Sequence, residues 1–305
     1  MQKPQLIQVN TKDGLTLPGL LYSSSKSKKV AIYLHGNGSS SIFYSDDLRD
    51  GYASELLKRD ISFLPLNNRG SNYIKKLSNT DAKIGYQRYG MAYEIIKECI
   101  FDINACIDFL KQKGFEEFYL IGESTGANKI CVYDYYEKSN PVAGYILLGG
   151  GDDVGIYYDQ LGERVFWKLL KEARKKMADG KGNDIIKSLL PSPIFSHKGF
   201  YDIANPDGDY NVFPFYEVIN DTKLSKNQPL FKMYNSLKKP TYTVYGDKDE
   251  YAWGDVSRVV DILKNQNPQP TYAVIKGANH EFTNHREKLG RMMANWLNNL
   301  NERKL

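Results

Sequence analysis

The sequence has few of the residues that mark a secreted, metal-binding or membrane-spanning protein. Its 305 residues include three cysteines and four histidines. No apolar run approaches the ~20 residues that a transmembrane helix requires. No cysteine has a histidine or a second cysteine at the spacing of metal ligands. We therefore expect a soluble, cytoplasmic protein with no membrane span and no metal site.

An excess of charge of either sign is also missing. The chain has 41 basic and 36 acidic residues, which gives a formal net charge of +5. Its basic residues do not alternate with aromatic residues along a stripe, as they would in a nucleic-acid groove. The apolar fraction of 41% is ordinary for a globular protein. The composition predicts a large core and gives no support for a nucleic-acid partner, and it leaves the oligomeric state open.

The three cysteines are expected to be buried, free thiols. Cys99 and Cys106 lie two turns apart on one predicted helix, ~10 Å along its axis, which is too far for a disulfide. Cys131 falls within another predicted helix. The spacing therefore excludes a disulfide between the first two and agrees with a reducing compartment.

Short apolar segments, which predict buried strands, alternate with longer segments of helical periodicity. This alternation predicts an α/β protein with a mostly parallel, twisted sheet covered by helices on both faces, and Asp13-Gly14 predicts an antiparallel hairpin at its start. The predicted strands are 5–11, 15–22, 30–34, 61–66, 118–121, 144–148, 241–245 and 272–275. The predicted helices are 45–59, 96–110, 125–137, 254–264 and a last one that carries Leu289, Met292, Met293, Trp296 and Leu300 on one side.

A long interruption separates the sixth predicted strand from the seventh. It begins with an amphipathic helix around Phe166–Met177 and continues through sequence rich in proline, glycine and aromatic residues. Excursions of this length between two strands usually have a function. We therefore predict an α/β core formed by residues 1–149 and 240–305, with residues 150–239 as a cap.

The segment Gly122-Glu123-Ser124-Thr125-Gly126 follows a predicted strand and precedes a predicted helix. It matches the pattern G-x-S-x-G, in which a serine on a tight strand-to-helix turn projects above the sheet. Ligands bind at this carboxyl edge in open α/β sheets. The pattern predicts Ser124 as a nucleophile, and the alternative is a glycine-bounded helix start without chemistry.

A serine nucleophile requires a base to remove its proton, and four histidines are candidates. His35 follows an early strand and is expected to shape a turn. His197 lies in the interruption. His280 follows the last predicted strand, where a base of such an enzyme is expected, so it is the predicted base. His285, at the edge of the final helix, is the alternative.

The acid that orients the base is expected in the loop after strand 241–245. A carboxylate there would hold the imidazole in the correct tautomer. Asp249 is the favoured residue and Asp247 the second. Asp152 and Asp153, at the end of the preceding strand, are a third possibility.

Acyl transfer also needs N–H donors for the oxyanion. The backbone N–H of Thr125, directly after the serine, is the first predicted donor. The loop His35-Gly36-Asn37-Gly38 offers a second, and Asn37 is the predicted residue. The alternative is that this loop is a plain turn.

Together these motifs resemble the α/β-hydrolase superfamily of serine esterases, over essentially the whole chain. The matching residues occur in the superfamily's order of serine, aspartate and histidine. Glu123 departs from many members, which carry histidine there. The matching motifs are His35-Gly36, Gly122–Gly126, Gly246-x-x-Asp249 and His280.

Two closer likenesses are weaker. The residues Phe200-Tyr201, Asn205–Asp209 and Phe213 are similar to the insertion of a fungal and plant family that includes siderophore-releasing esterases. The first strands and the turn Gly122–Gly126, called the elbow below, are similar to feruloyl and cinnamoyl esterases. Both likenesses imply an ester substrate, and an ester with an aromatic or siderophore-like group is one candidate.

The resemblance implies a serine-dependent carboxylic ester hydrolase that forms an acyl-enzyme. Such an enzyme needs no cofactor and no metal. A thioesterase, an acyltransferase, an amidase or a carbon–carbon-bond hydrolase would use the same three side chains. A ligand-binding protein with this fold and no activity is the alternative from another class.

Overall fold

The computed structural model describes residues 3–24, 27–43, 46–81 and 83–302. The first residue of the predicted helix 45–59 and both ends of the predicted core therefore lie outside the described residues. No helix in the described part of the chain is long and apolar enough to cross a bilayer.

The core is a mixed sheet of eight strands, which are the eight strands that the sequence predicts. The strands are β1 (Gln5–Asn10), β2 (Thr16–Leu21), β3 (Lys29–Leu34), β4 (Ile61–Leu66), β7 (Glu117–Glu123), β8 (Val142–Leu148), β9 (Thr241–Gly246) and β10 (Thr271–Ile275), and outside the sheet lie β5 (Lys75–Ser78) and β6 (Tyr86–Tyr89). The spatial order in the sheet is β1-β2-β4-β3-β7-β8-β9-β10. Within the sheet, β1 pairs with β2 and β2 with β4 in antiparallel fashion, and every other pair is parallel. The predicted mostly parallel sheet with an antiparallel start is confirmed.

Helices cover both faces of this sheet, as predicted. The helices are α1 (Asp46–Leu57), α2 (Cys99–Gln112), α3 (Thr125–Tyr136), α4 (Asp153–Leu161), α5 (Glu163–Ala178), α6 (His197–Ala204), α7 (Phe215–Ile219), α8 (Lys232–Asn235), α9 (Val256–Gln266) and α10 (Arg286–Glu302).

The two faces are built from alternate residues of the strands. In β3, Ala31 and Tyr33 belong to the apolar cluster that includes residues of α1 and α10, whereas Ile32 and Leu34 belong to the cluster that includes residues of α2, α3 and α9. This alternation follows from the period of two along a strand. All six residues of β4 are buried, as expected of a strand covered on both sides.

The interruption between β8 and β9 contains five helices, α4 to α8, where the sequence predicts one. Its aromatic residues Phe166, Phe195, Phe200 and Phe213 are buried and belong to the same apolar cluster as α2 and α3. Most of these rings therefore form the packing of the interruption. The division of the chain into core and cap stays a prediction.

The strands β5 and β6 form a small separate hairpin that the sequence does not predict. They are polar, and their side chains are exposed or half-buried. By contrast, the prediction for the cysteines is confirmed, because Cys99, Cys106 and Cys131 are all free and buried in helices.

Candidate active site

Ser124 lies on the turn between β7 and α3, with φ 55° and ψ −125°. A positive φ is costly for a residue with a side chain and persists where the surroundings enforce it. Here the closely packed chain segments around Ser124 enforce it, and two glycines make that close packing possible. A Cβ atom on Gly122 would lie 2.3 Å from the carbonyl oxygen of Gly126, and one on Gly126 would lie 2.1 Å from the carbonyl oxygen of Leu34. The two glycines thus allow three chain segments to meet below Ser124.

His280 and Asp249 come from the loops after β10 and β9, and they contact each other directly. The Nδ1 atom of His280 lies 2.9 Å from Oδ1 and 3.0 Å from Oδ2 of Asp249. Both residues are buried. Because Nδ1 is occupied by the carboxylate, the neutral ring carries its free lone pair on Nε2.

The surroundings of His280 raise the pKa of its imidazole. Burial alone would lower this pKa, but the hydrogen bond and the negative charge of Asp249 outweigh burial, and the charges of Glu123 and Glu250 act in the same direction. The protonated ring is therefore stabilised, which is the state that a general base reaches after it takes a proton.

The other acid candidates have different partners. Asp247 is exposed and accepts a hydrogen bond of 2.6 Å from the N–H of Gly277. Asp152 is the N-cap of α4 and accepts from the N–H groups of Gly155 and Tyr216. Each therefore holds a turn or a helix and is not in contact with His280.

The other three histidines do not line the cavity of Ser124. The Nδ1 atom of buried His35 lies 2.8 Å from the carbonyl oxygen of Gly36, next to it in the chain. His197 begins α6, and His285 contacts the carbonyl oxygen of Thr283. Of the four histidines, His280 lines the same cavity as Ser124.

That cavity has a volume of about 420 Å³. It opens above the carboxyl ends of β3, β7 and β8, where ligands bind in sheets of this kind. Gly151 lies at its floor, since a Cβ atom there would be 3.9 Å from Ser124 Oγ. Three carboxylates and three tyrosines also line it, whereas no lysine or arginine of the described residues does. They are Glu123, Asp153, Glu281, Tyr73, Tyr157 and Tyr251.

The two predicted oxyanion donors belong to segments that meet at Ser124. Thr125 is the first residue of α3, so its N–H has no acceptor within the helix. Asn37 lines the cavity, and its neighbour Gly36 lies so close to Ser124 that a Cβ atom on Gly36 would be 2.9 Å from the serine Cβ. Their role as donors stays a prediction.

Glu123, where the sequence departs from many α/β-hydrolases, is buried beside Ser124. Its Oε2 accepts a hydrogen bond of 2.7 Å from the hydroxyl of Tyr33 on β3. Burial raises the pKa of this carboxyl, although the Tyr33 bond acts in the opposite direction. The side chain of Glu123 is therefore held by Tyr33, and its negative charge lies near His280.

A buried ion pair that the sequence does not predict lies in the helix after Ser124. Lys129 Nζ is 2.6 Å from Glu94 Oε1, and both side chains are almost fully buried. Tyr210 also donates a hydrogen bond to Glu94. The pair connects α3 to the segment that carries Met91 at the cavity wall.

In the described part of the chain, no group of three or more histidine, cysteine, aspartate or glutamate side chains is placed to hold a metal ion.

The sequence of residues 75–299 matches the family described as Protein of unknown function (DUF1749). This match covers most of the 305 residues. The chain belongs to that family. The matched region includes Ser124, Asp249 and His280, whereas Asn37 lies before it. No curated protein has significant sequence similarity to the chain.

Solved structures with the same fold cover nearly the whole chain. Est1E from Butyrivibrio proteoclasticus is 13% identical, with a TM-score of 0.59 over 97% of this chain and 98% of that one. The esterase Pf2001 from Pyrococcus furiosus is 17% identical, with a TM-score of 0.56 over 97% and 92%. The α/β-hydrolase GrgF from Penicillium sp. sh18 is 15% identical, with a TM-score of 0.60 over 96% and 97%. The predicted α/β-hydrolase fold is confirmed.

Proposed function

We propose that the protein is a serine-dependent carboxylic ester hydrolase that works through an acyl-enzyme. One observation carries the proposal: Ser124, held at a positive φ on a glycine-bounded turn, lines the same cavity as a histidine whose Nδ1 is bound by a buried aspartate. A nucleophile, a base and an orienting acid at one site are the requirements of acyl transfer. The esterases with the same fold support this class of reaction.

In the first step, the hydroxyl of Ser124 attacks the ester carbonyl carbon while His280 takes its proton. Asp249 holds the ring and stabilises the imidazolium. The proton then passes from His280 to the departing alkoxide oxygen, which leaves as the alcohol, and the acyl group stays on Ser124. In the second step, His280 takes a proton from water, the hydroxide attacks the acyl carbon, and the proton returns to Ser124 as the acid leaves.

The oxyanion of each tetrahedral intermediate would be bound by the N–H groups of Thr125 and Asn37. Backbone donors of this kind are fixed before the reaction and need no reorganisation, so each is worth ~3–4 kcal/mol in other acyl-transfer enzymes. Gly36 supports this role because it brings the loop after β3 against Ser124.

Some finer aspects remain predictions from the sequence. These are the aromatic or siderophore-like nature of the ester, the cap function of residues 150–239 and the cytoplasmic location. Est1E has also been solved with ferulic acid bound, which supports an aromatic acyl group as one substrate to test. A thioesterase, acyltransferase or amidase would share the steps on Ser124 and differ in the leaving group or the acceptor.

The test compares the purified protein with Ser124→Ala. We expect the protein to hydrolyse p-nitrophenyl butyrate and to be labelled by a fluorophosphonate probe on Ser124, with both signals lost in Ser124→Ala. Ser257→Ala, on the exposed face of α9, is the matched control and should keep both. Turnover that survives in Ser124→Ala, or a protein that the probe does not label, would show that the chain is not a serine hydrolase.

A further inference from the structure

The charges around the cavity are opposite in sign to the charge of the whole chain. The protein has 41 lysines and arginines against 36 acids, yet three carboxylates line the cavity and, in the part of the chain that the structure describes, no lysine or arginine does. A cavity with walls of one sign concentrates ligands of the opposite sign. Ser124 and His280 make this cavity a candidate ligand site, and the acids bear on which ligand it takes.

The three carboxylates differ in how far their charge is already balanced. Glu123 accepts the hydrogen bond from Tyr33. Glu281 is mostly exposed and lies 3.8 Å from Arg286. Asp153 has no lysine or arginine within ion-pair distance among the residues that the structure describes. Of the three carboxylates, Asp153 is therefore the one with neither a basic partner nor a short hydrogen bond.

Asp153 also has room for further hydrogen bonds. Its Oδ2 atom accepts two long ones, of 3.4 Å from the hydroxyl of Thr125 and 3.3 Å from the side-chain amide of Asn128. An ionised carboxylate accepts about four hydrogen bonds. Since Asp153 contacts the residue next to the proposed nucleophile and lines the same cavity, an ammonium bound by Asp153 would share that cavity with the reacting carbonyl.

Three tyrosine rings, Tyr73, Tyr157 and Tyr251, complete the wall. The faces of such rings attract ammonium groups, and carboxylates with several aromatic rings are a common way to bind them. None of the lysine–ring and arginine–ring contacts among the described residues involves these three tyrosines. No lysine or arginine of the described residues thus covers these rings, although Tyr251 packs edge-on against the imidazole of His280.

We propose that the cavity selects esters that carry an ammonium group, with Asp153 as the residue that binds the positive charge and the three tyrosines as the rings around it. This inference rests on the proposed ester hydrolysis at Ser124. An ester that carries a carboxylate near the scissile bond would be repelled by the same wall. The reaction itself is unchanged: water is added across the ester bond, and the ammonium group is not altered.

Two esters of the same shape test the selection. Butyrylcholine carries a quaternary nitrogen where 3,3-dimethylbutyl butyrate carries a neutral carbon. We expect the protein to prefer butyrylcholine by about tenfold or more in kcat/KM, a difference within the range of cation–ring and charge interactions in partly desolvated sites. Asp153→Asn should reduce this ratio to near one. Asp159→Asn, an exposed carboxylate of the same helix that does not line the cavity, should keep it.

The binding of the two intact esters to Ser124→Ala, measured by calorimetry, separates this inference from the proposed function. If the wild-type protein hydrolyses p-nitrophenyl butyrate but shows no preference for butyrylcholine, ester hydrolysis stands and the ammonium selection is wrong. If Ser124→Ala binds butyrylcholine more tightly than the neutral ester while the wild-type protein hydrolyses none of the three esters, the selection stands and the hydrolase proposal is wrong.

Discussion

The Nδ1 atom of His280 lies between the two carboxylate oxygens of Asp249, 2.9 Å from one and 3.0 Å from the other. The loops that carry them are fixed by further contacts: the N–H of Tyr251 donates to Asp249, and the N–H of His280 donates to Glu250. The ring of Tyr251 also packs edge-on against the imidazole, with 4.7 Å between ring centroids. The position of the imidazole is therefore determined from several sides.

This relationship predicts that Asp249→Asn lowers kcat for ester hydrolysis strongly. An amide can donate to Nδ1 and so favour the wrong tautomer, which in other serine enzymes costs about 10⁴-fold. The measurement is kcat with p-nitrophenyl butyrate. Asp247→Asn is the matched control in the same loop, because its carboxylate accepts from the N–H of Gly277 and does not contact the imidazole.

Asp247→Asn should keep kcat within a few-fold of the wild-type value. Equal losses in both variants would contradict the assignment of Asp249 as the orienting acid, and a loss confined to Asp247→Asn would move that role to Asp247.

The pH profile of kcat/KM should reflect the raised pKa of His280. The ring accepts a proton from Ser124 only when it is neutral, so activity falls as the pH drops through this pKa. Since the charges of Asp249, Glu123 and Glu250 outweigh burial, we expect the midpoint of the acid limb above the ~6.5 of an ordinary histidine. In Asp249→Asn the midpoint should move to lower pH. A wild-type midpoint well below ~6 would contradict this account.

A second titration should appear in the ammonium selection. Burial raises the pKa of Asp153 to about 7, with Glu94 raising it and Thr125, His280 and Lys129 lowering it. Only the ionised carboxylate attracts an ammonium group. The ratio of kcat/KM for butyrylcholine to that for 3,3-dimethylbutyl butyrate should therefore rise with pH around 7, because the common dependence on His280 cancels in the ratio. A ratio that is flat from pH 6 to 8 would contradict the role of Asp153.

The features that the sequence predicts well are local. All eight strands of the sheet are found because each is a short apolar run bounded by turn residues, and the elbow is found because Gly122 and Gly126 flank Ser124 in a fixed pattern. His280 and Asp249 follow from the position of their loops after the last two strands. In each case the information lies within a few neighbouring residues.

The features that escape the sequence depend on contacts between distant segments. Nothing near Lys129 indicates that it is buried, because its partner Glu94 comes from another part of the chain. The cavity wall is likewise assembled from Tyr73, Tyr157 and Tyr251, which lie in three separate segments. The sequence does not predict α4 either, because this helix has only two buried residues and its apolar residues show little helical periodicity.

The buried ion pair of Lys129 and Glu94 predicts that replacing one partner lowers the free energy of unfolding far more than replacing both. Lys129→Met leaves the carboxylate of Glu94 buried without its cation, which typically costs ~3–5 kcal/mol in the free energy of unfolding. Replacing Glu94 by leucine in the same chain should recover most of this loss. Lys111→Met is the control, since its pair with Asp108 is exposed and worth ~1 kcal/mol or less. Urea unfolding measures all three, and a single variant as stable as the control would contradict the account.

The contact below the elbow makes Gly126 the most sensitive small residue near the site. A Cβ atom there would lie 2.1 Å from the carbonyl oxygen and 2.9 Å from the carbonyl carbon of Leu34, both backbone atoms of a central strand that has no room to move. We expect Gly126→Ala to lower the free energy of unfolding by at least ~1–3 kcal/mol, the usual cost of overpacking. The measurement is the urea midpoint at constant m value.

Gly51→Ala is the matched control, because Gly51 lies within α1 and a Cβ atom there meets no other atom within 4 Å. Alanine is the better helix former, so this variant should be more stable than the wild-type protein by ~0.5–1 kcal/mol. The two identical chemical changes should thus shift the urea midpoint in opposite directions. If Gly126→Ala is as stable as Gly51→Ala, then β3 and the start of α3 are not packed as closely as this structure has them, and the positive φ of Ser124 would lose its physical cause.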